Sequence, residues 1–513
     1  MKPRHFFILF RFLRFLKYVL IAVGVLAAVF VAALLTVRFV LLPQWETQPH
    51  KVADFFGERI GLPVALGNIK AGWDGWNPQL TVHDLQIYAA AENTDASDTD
   101  AQLILHEVGL QVDAWNSLLH LDLRFQRLRL EQPTLVVRRD TAGQVFIGGV
   151  LLTGSPEGEE PGSGRFADWL LRQRAIEING GTLEWRDEKR AAPPLVIEQL
   201  DFRAEQRLSH YRFGLRGDLV SATGATFEVR GETATGLLQP SFDSDWQGYV
   251  RLNRVDLGSL RQWVDLPIDL ARGEGNVQTW LSLSKQRVTS ATFDIALHDV
   301  KANLAPSLAT ALEPNLTPAA EPAIAPLELQ EVRGRFKGRE ERNRFIFSAE
   351  GLTFVEKSGL RLEPMAATLT LEDFDPATPP QLTALLTQAP RGHLEFDRLD
   401  VSVLAGLLQF IPLPDDWRKT LAALNIRGTL EKGSGGWEFV REKNDTEEET
   451  EESWRLIHYN ARATVRDASV QAHEAYPGVR GISGTVTLDE TQGTVALNSR
   501  NVVLDLPQVF PDA

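Results

Sequence analysis

Cysteine is missing from all 513 residues of this chain. Its absence excludes disulfide bonds, thiol nucleophiles, thiolate metal sites and lipid attachment at a cysteine. The sequence also lacks a G-x-S-x-G elbow, an H-E-x-x-H helix and a phosphate-binding G-x-x-x-x-G-K-[ST] loop. We therefore predict a protein that is not an enzyme and has no cofactor or metal. A membrane-tethered hydrolase is the least favoured alternative.

Positive charge is in deficit. The chain has 68 acidic and 53 basic residues, a net charge of −15. Several of the basic residues lie in the first 17 positions, so the remainder is more acidic than this total indicates. Such a surface repels phosphate groups, which argues against binding of nucleic acid and against peripheral docking on acidic lipid.

Long apolar runs are absent with one exception, residues 18–37, which carry no charge. A helix needs about 20 apolar residues to cross a bilayer, so we predict a transmembrane helix over residues 18–42. The basic residues before this run have no acidic neighbours and are Lys2, Arg4, Arg11, Arg14 and Lys17. By the positive-inside rule, residues 1–17 form a cytoplasmic tail of an inner-membrane protein whose body is periplasmic. A signal peptide cleaved near Ala33 is the alternative.

The body shows hydrophobic alternation with a period of two, which predicts strands with one apolar face. We expect a mainly β fold, in which an elongated, curled antiparallel sheet forms a groove and short helices interrupt the strands, as over residues 51–61 and 166–174. The apolar faces must be covered by another layer, by curling of the sheet, or by a ligand. The candidate lining residues are Val108, Leu110, Val112, Leu121, Leu123, Phe125, Leu369, Leu371, Val486 and Leu488.

The pattern divides the body into four predicted segments, with boundaries at residues 43–152, 165–304, 327–441 and 453–513. Three of these segments contain an aspartate at the start of a short apolar stretch, Asp113, Asp256 and Asp400. We expect each carboxylate to cap a short helix that follows a strand. Residues 92–100, 153–164, 305–326 and 442–452 are predicted loops, the last an acidic hairpin tip.

Several short segments resemble, in the same order, members of the AsmA-like family of the YhdP type. They are RIGLPV at 59–64, IKAGWDGWNPQLTV at 69–82, LRLEQPTL at 128–135, DTAG at 140–143, YPGVRGISG at 476–484 and LDLPQVF at 504–510. The resemblance implies a long β groove, anchored in the inner membrane, that takes part in phospholipid movement to the outer membrane and in outer-membrane homeostasis. It implies phospholipid and the inner membrane as partners, with outer-membrane or periplasmic proteins as further ones. It supplies no catalytic residues.

The resemblance and the alternating strands together favour a lipid groove over the alternative, a non-catalytic envelope scaffold or assembly factor with closed β sandwiches. Removing an acyl chain from water is worth about 0.8 kcal/mol per methylene, so an apolar floor can hold lipid without specific polar contacts. Family members are longer than this chain. We therefore expect the last segment, 453–513, to be the start of a further β segment that is truncated here.

Overall fold

The computed structural model describes residues 4–36, 38–39, 48–60, 63–75, 77–88, 103–114, 116–117, 124–147, 150–153, 173–207, 210–220, 224–234, 245–264, 266, 269–285, 287–303, 325–342, 344–372, 390–407, 410, 420, 423–446, 449–473 and 477–505. Across these residues the chain is mainly β, with 24 strands and four helices. It divides into two compact units, Met1–Gly217 and Asp218–Ala513.

The first unit begins with two helices, α1 (Arg4–Thr36) and α2 (Pro49–Ile60). Its strands are β1 (Val64–Ala65), β2 (Ile69–Asp74), β3 (Asn77–Ile87), β4 (Leu103–Val112), β5 (Phe125–Glu131), β6 (Thr134–Arg139), β7 (Val145–Ile147), β8 (Val150–Thr153), β9 (Ala175–Asp187) and β10 (Leu195–Arg207). The boundary between the units falls within β11 (His210–Leu219).

Two pairings in the first unit depart from the expected antiparallel order. β5 and β6 both run parallel to β9, with Leu128 opposite Ile176 and Leu135 opposite Leu183. Gln132 has a positive φ of 47° and precedes Pro133, so the chain bends between β5 and β6 and the two strands follow each other along β9. The other pairings between the described strands of this unit are antiparallel, including β3 with β4 and β9 with β10. Alternation alone does not distinguish the two directions, because both put successive side chains on opposite faces.

The apolar face of the first unit is a closed core. One row of cross-strand partners contains Leu80, Leu110, Leu128, Ile176 and Ala204, and every one of them is at most 7% exposed. Buried residues of α2 add to it, because Val52 and Ala53 are also inaccessible. The helix predicted over residues 51–61 is thus confirmed as α2.

The second unit is a sequential antiparallel meander. Its strands are β12 (Ala225–Ala234), β13 (Trp246–Asp256), β14 (Asp269–Ser284), β15 (Arg287–Asn303), β16 (Leu327–Glu341), β17 (Arg344–Glu356), β18 (Arg361–Glu372), β19 (Arg391–Asp400), β20 (Arg427–Thr446), β21 (Glu449–Val470), β22 (Gly478–Asp489), β23 (Gly493–Leu497) and β24 (Val503–Asp505). From β12 to β22 each strand pairs with the next. β23 and β24 both pair with β22, at different positions along it.

A line of bulges crosses this meander. Left-handed backbone (positive φ) occurs once or more in most of its long strands, at positions near register shifts: Arg254, Gly275, Asp299, Gly351, Lys432, Asp467 and Gly481. Bulges bend a strand and increase its local twist, so a row of them curls the sheet. On one side of the line the strands carry buried residues such as Val255, Val300 and Phe354.

Two short helices lie against the buried side, α3 (Leu257–Leu260) and α4 (Val401–Leu407). The predicted aspartate caps are confirmed. Asp256 accepts from the backbone N–H of Gly258 at 3.0 Å and caps α3, and Asp400 accepts from that of Ser402 at 2.8 Å at the start of α4. Asp113 accepts from the N–H of Asn116 at 3.0 Å in the first unit. Free N–H groups at a helix start need such an acceptor, which makes the signal readable from sequence.

Further predictions concern the membrane segment, the acidic stretch and the segments that connect the strands. The predicted membrane segment begins within α1, yet no helix in the described part of the chain has the length and hydropathy needed to cross a membrane. The described part of the acidic stretch 442–452 belongs to β20 and β21, which pair up to Thr446 opposite Glu449, so the predicted hairpin is confirmed. The helix predicted over residues 166–174 falls largely outside the described residues, as do the loops predicted at 92–100, 153–164 and 305–326.

Candidate functional site

An apolar row crosses the second unit from β12 to β23, one residue from each strand. We call it the floor row. Its members are successive cross-strand partners, and none has a polar side chain: Gly231, Gly248, Leu281, Ala291, Gly338, Phe347, Leu369, Leu394, Gly435, Ala461, Leu488 and Gly493. Side chains on one face of a sheet repeat every second residue, so the residues two positions away along each strand extend the same face. They include Phe293, Phe336 and Phe396.

The neighbouring row lies on the opposite face and is mostly polar. Its members are Arg230, Tyr249, Trp280, Thr292, Lys337, Ser348, Thr368, Glu395, Ser434, Arg462, Thr487 and Thr494. We call it the outer row. The second unit therefore has one apolar and one hydrated face on this side of the bulges.

Ion pairs connect side chains of neighbouring strands on the outer face. Arg335 donates two hydrogen bonds to Asp294, at 2.5 and 2.6 Å, and Lys337 binds Glu350 at 2.6 Å. The hydrogen bond from Arg335 holds the pKa of the Asp294 carboxyl below its usual range. These groups stay charged near neutral pH and keep this face in water.

The apolar face is open along much of the meander. Leu394 and Leu488 in the floor row are 37% and 44% exposed, and Phe293 beside it is 38% exposed. Exposure increases toward the last strands, where Val495 and Leu497 are both more than half exposed. A contiguous exposed apolar surface of this kind marks a place where a ligand, a membrane or a partner binds.

At one point the apolar face is covered by side chains of the sheet itself. Leu371 is fully buried although it lies beside the floor row, because Phe345, Leu369 and Trp437 pack against it. Trp437 lies over Gly392, its register partner: a Cβ atom added to that glycine would be 2.1 Å from Trp437 Cζ2. Phe396 covers Gly433 in the same manner at 2.0 Å. Aromatic rings thus occupy the space that the glycines leave open.

The sequence-predicted lining residues fall into two groups. Leu369 and Leu488 are in the floor row, and Leu371 and Val486 are on the same face of the second unit. Val108, Leu110, Val112 and Phe125 belong to the first unit, where they are between 2% and 8% exposed. Leu121 and Leu123 lie outside the described residues. The structure thus brings the candidates of residues 369–488 onto one face of the second unit, and places the described candidates of residues 108–125 in a closed core.

Sequence reasoning missed the glycines of the floor row. Gly231, Gly248, Gly338, Gly435 and Gly493 carry no hydropathy signal, yet they continue the apolar surface across five strands. Their spacing of two from apolar residues, as in Phe336 and Gly338, is a signal that could have found them. The described residues contain no group of three or more side chains suited to bind a metal ion. The arrangement offers apolar contact and no reacting groups.

Comparisons with known proteins agree with this chemistry. A family model described as "YhdP protein" matches residues 1–513. The "Intermembrane phospholipid transporter YhdP" of Escherichia coli (strain K12) is 25% identical over 288 residues, which are 54% of this chain and 20% of that protein. The match thus spans about a fifth of the relative's length. No solved structure matches this chain. The family resemblance seen in the sequence is confirmed. The prediction that the chain is not an enzyme is confirmed too, because the matched family and the matched transporter are not enzymes.

Proposed function

Because the chain belongs to the YhdP family, we propose that the apolar face of its second unit carries the acyl chains of phospholipids during movement between the inner and outer membranes. The observation that supports this most is the floor row, which stays apolar across twelve successive strands. Acyl chains on this face are removed from water while headgroups remain hydrated at its margin. Each methylene so removed contributes about 0.8 kcal/mol.

The proposed path uses the residues of the second unit and not those of the first. Val108, Leu110, Val112 and Phe125 are buried by protein, so they are assigned to packing unless the first unit opens. Leu369, Leu371, Val486 and Leu488 remain candidate lining residues. Among them, Leu488 offers the largest exposed surface and Leu371 contributes beneath Trp437.

Photo-crosslinking in cells tests the path with matched neighbours on one strand. A photoreactive amino acid at Leu369 in the floor row should form adducts with ³²P-labelled phospholipid. The same amino acid at Thr368, which faces the hydrated side, should form few. A second pair, Leu281 and Ser282 of β14, repeats the comparison several strands away.

If the chain were instead an envelope scaffold with closed sandwiches, we would expect the opposite crosslinking result. Adducts at Leu369 and Leu281 would then be with protein segments, and no phospholipid would be recovered from either. Equal phospholipid labelling at Thr368 and Leu369 would also reject the proposed path, because lipid would then be sampled without regard to the face.

The proposed topology is that of a single-span inner-membrane protein with a cytoplasmic N-terminus. The supporting observations are the uncharged residues 18–37 and the basic residues that precede them without acidic neighbours. The body would then lie in the periplasm, where it could meet outer-membrane or periplasmic proteins.

Reporter fusions after Ala513 test this topology. Alkaline phosphatase, which needs the periplasm, should be active there, and a reporter that is fluorescent only in the cytoplasm should be dark. The reverse pattern would reject the topology. A mature N-terminus close to Ala33 would establish the alternative of a cleaved signal peptide.

A further inference from the structure

Five arginines gather on the polar face of the first unit, on strands β5, β10 and β11. Glu177 of β9 lies among three of them: its carboxylate is 3.5 Å from Arg127 Nε, 3.3 Å from Arg129 Nε and 3.8 Å from Arg203 Nε. Glu205 of β10 is surrounded in the same way, at 3.4 Å from Arg203, 3.2 Å from Arg207 Nε and 3.6 Å from Arg212 Nε. Arg129, Glu177 and Arg203 are register partners, so the group is built into the sheet. We call the five arginines, together with Glu177 and Glu205 beneath them, the arginine patch.

The charges of the patch are arranged in two levels. The carboxylates lie below, since the side chains of Glu177 and Glu205 are only 11% and 16% exposed. The arginines lie above, with between 40% and 65% of each side chain exposed. Apart from Arg203, the closest carboxylate contact of each arginine is made by Nε. The exposed part of each of these side chains is open to an acceptor that approaches from solvent.

Phosphate oxygens suit such a surface. Guanidinium groups bind phosphate through charge-assisted, paired hydrogen bonds, and several of them close together can bind the non-bridging phosphate oxygens of neighbouring headgroups. The patch has five positive charges, and the four carboxylates around them are Glu177, Glu205, Glu131 at 3.7 Å from Arg129, and Glu107, the register partner of Glu131. It is locally cationic on a chain of net charge −15. The net charge of the whole chain argues against contact with acidic lipid, but the local charge at the patch has the opposite sign.

We propose that the arginine patch docks the first unit on the anionic headgroups of the membrane in which the chain is anchored. The proposal rests on the proposed topology, because α1 belongs to the same unit and would hold it beside the bilayer. The opposite face of these strands is the closed apolar core. Docking would therefore fix the orientation of the unit to the membrane by its polar face, separately from the path for acyl chains.

The test uses the full chain with one added cysteine. Gln79 lies on the same face as Arg127, two strands away through Gln111. The chain has no other cysteine, so Gln79→Cys carries a single polarity-sensitive dye. The dye is read in vesicles of phosphatidylcholine alone, in vesicles that also contain phosphatidylglycerol, and with inorganic phosphate. Its spectrum gives the ratio of docked to undocked protein.

We expect docking only with phosphatidylglycerol, and its loss in about 1 M salt, where the screening length is about 3 Å. The double variant Arg207→Gln/Arg212→Gln leaves Arg203 to pair with Glu205. It should lower the docked ratio about fivefold for each arginine removed, on the order of 25-fold in total. The matched control Arg333→Gln/Arg339→Gln removes the same charge from exposed ion pairs of the second unit and should leave the ratio unchanged.

Three results would overturn the proposal: equal docking on phosphatidylcholine, equal loss in both double variants, or a full response to inorganic phosphate without vesicles. The last would assign the patch to a soluble oxyanion. Cosedimentation of the chain with phosphatidylcholine vesicles reports the anchor alone. A failure of the proposed topology is therefore seen there and remains distinct from a failure of the patch. Circular dichroism of each variant verifies its fold.

Discussion

Asp187 shows at the residue scale how the first unit retains a buried carboxylate. Its side chain is 2% exposed, and Arg139 donates to both carboxylate oxygens, one of them at 2.9 Å from Nε. The backbone N–H of Arg190 adds a bond at 3.2 Å. Burial acts to raise the pKa of this carboxyl, but the bonds from Arg139 and Arg190 outweigh it and hold the pKa below its usual range.

We predict that Asp187→Asn lowers the free energy of unfolding by about 3 kcal/mol at pH 7, because it leaves the charge of Arg139 without its partner. Asp294→Asn, which breaks a similar but more exposed pair with Arg335, should cost less than about 1 kcal/mol. A lowered pKa in the folded chain stabilises it above the pKa of an unfolded aspartate, about 3.9, and this contribution is lost as the pH falls further. Urea unfolding at pH 7 and below pH 4 measures the difference. A penalty for Asp187→Asn that is independent of pH would contradict this account.

Glycine and aromatic residues interlock at the scale of adjacent strands. Trp437 of β20 fills the space over Gly392 of β19, and Phe396 of β19 fills that over Gly433 of β20. The two strands exchange these contacts in opposite directions, which fixes their register. Trp437 also packs against Leu371 on the neighbouring strand β18.

We predict that Gly392→Ala destabilises the second unit by about 1–3 kcal/mol, because its Cβ would meet the Trp437 ring. The cost should largely disappear when Trp437→Ala is already present, which a double-mutant cycle would reveal as coupling. Gly248→Ala in the floor row is the matched control. Its Cβ would lie 3.7 Å from Leu281, an ordinary contact, so stability should change by no more than about 0.5 kcal/mol. Simple additivity of Gly392→Ala and Trp437→Ala would refute the interlock.

The floor row is a property of the whole second unit. At about 4.8 Å between strands, the twelve strands from β12 to β23 extend on the order of 50 Å along the sheet. An enclosed pocket holds one small molecule, whereas an open surface of this extent has room for several acyl chains side by side.

We predict that the purified chain carries more than one phospholipid, and that Ala291→Arg in the middle of the floor row removes only part of this lipid. Thr292→Arg, on the outer row, should leave the amount unchanged, because its charge stays in water. Native mass spectrometry gives the lipid count of each variant. Complete loss with Ala291→Arg would indicate one enclosed site instead of an extended surface.

Much of this organisation was readable from the sequence. Period-two alternation identified which residues share a face, since the pleat places side chains alternately whatever surrounds the strand. The positions of Asp113, Asp256 and Asp400 predicted helix caps, because the first N–H groups of a helix need a local acceptor. The family emerged from short segments kept in order. These signals are local, and each depends on residues within a few positions of one another.

Only the tertiary structure decided which of the alternating faces is closed. Val108 and Leu488 have the same alternating context, yet they are 2% and 44% exposed. The tertiary structure also decided that β5 and β6 pair in parallel with β9, and that five arginines lie over two mostly buried glutamates. Burial, strand direction and charge clustering depend on segments far apart in the chain. A pattern that repeats every two residues contains no information about which distant segment will cover it.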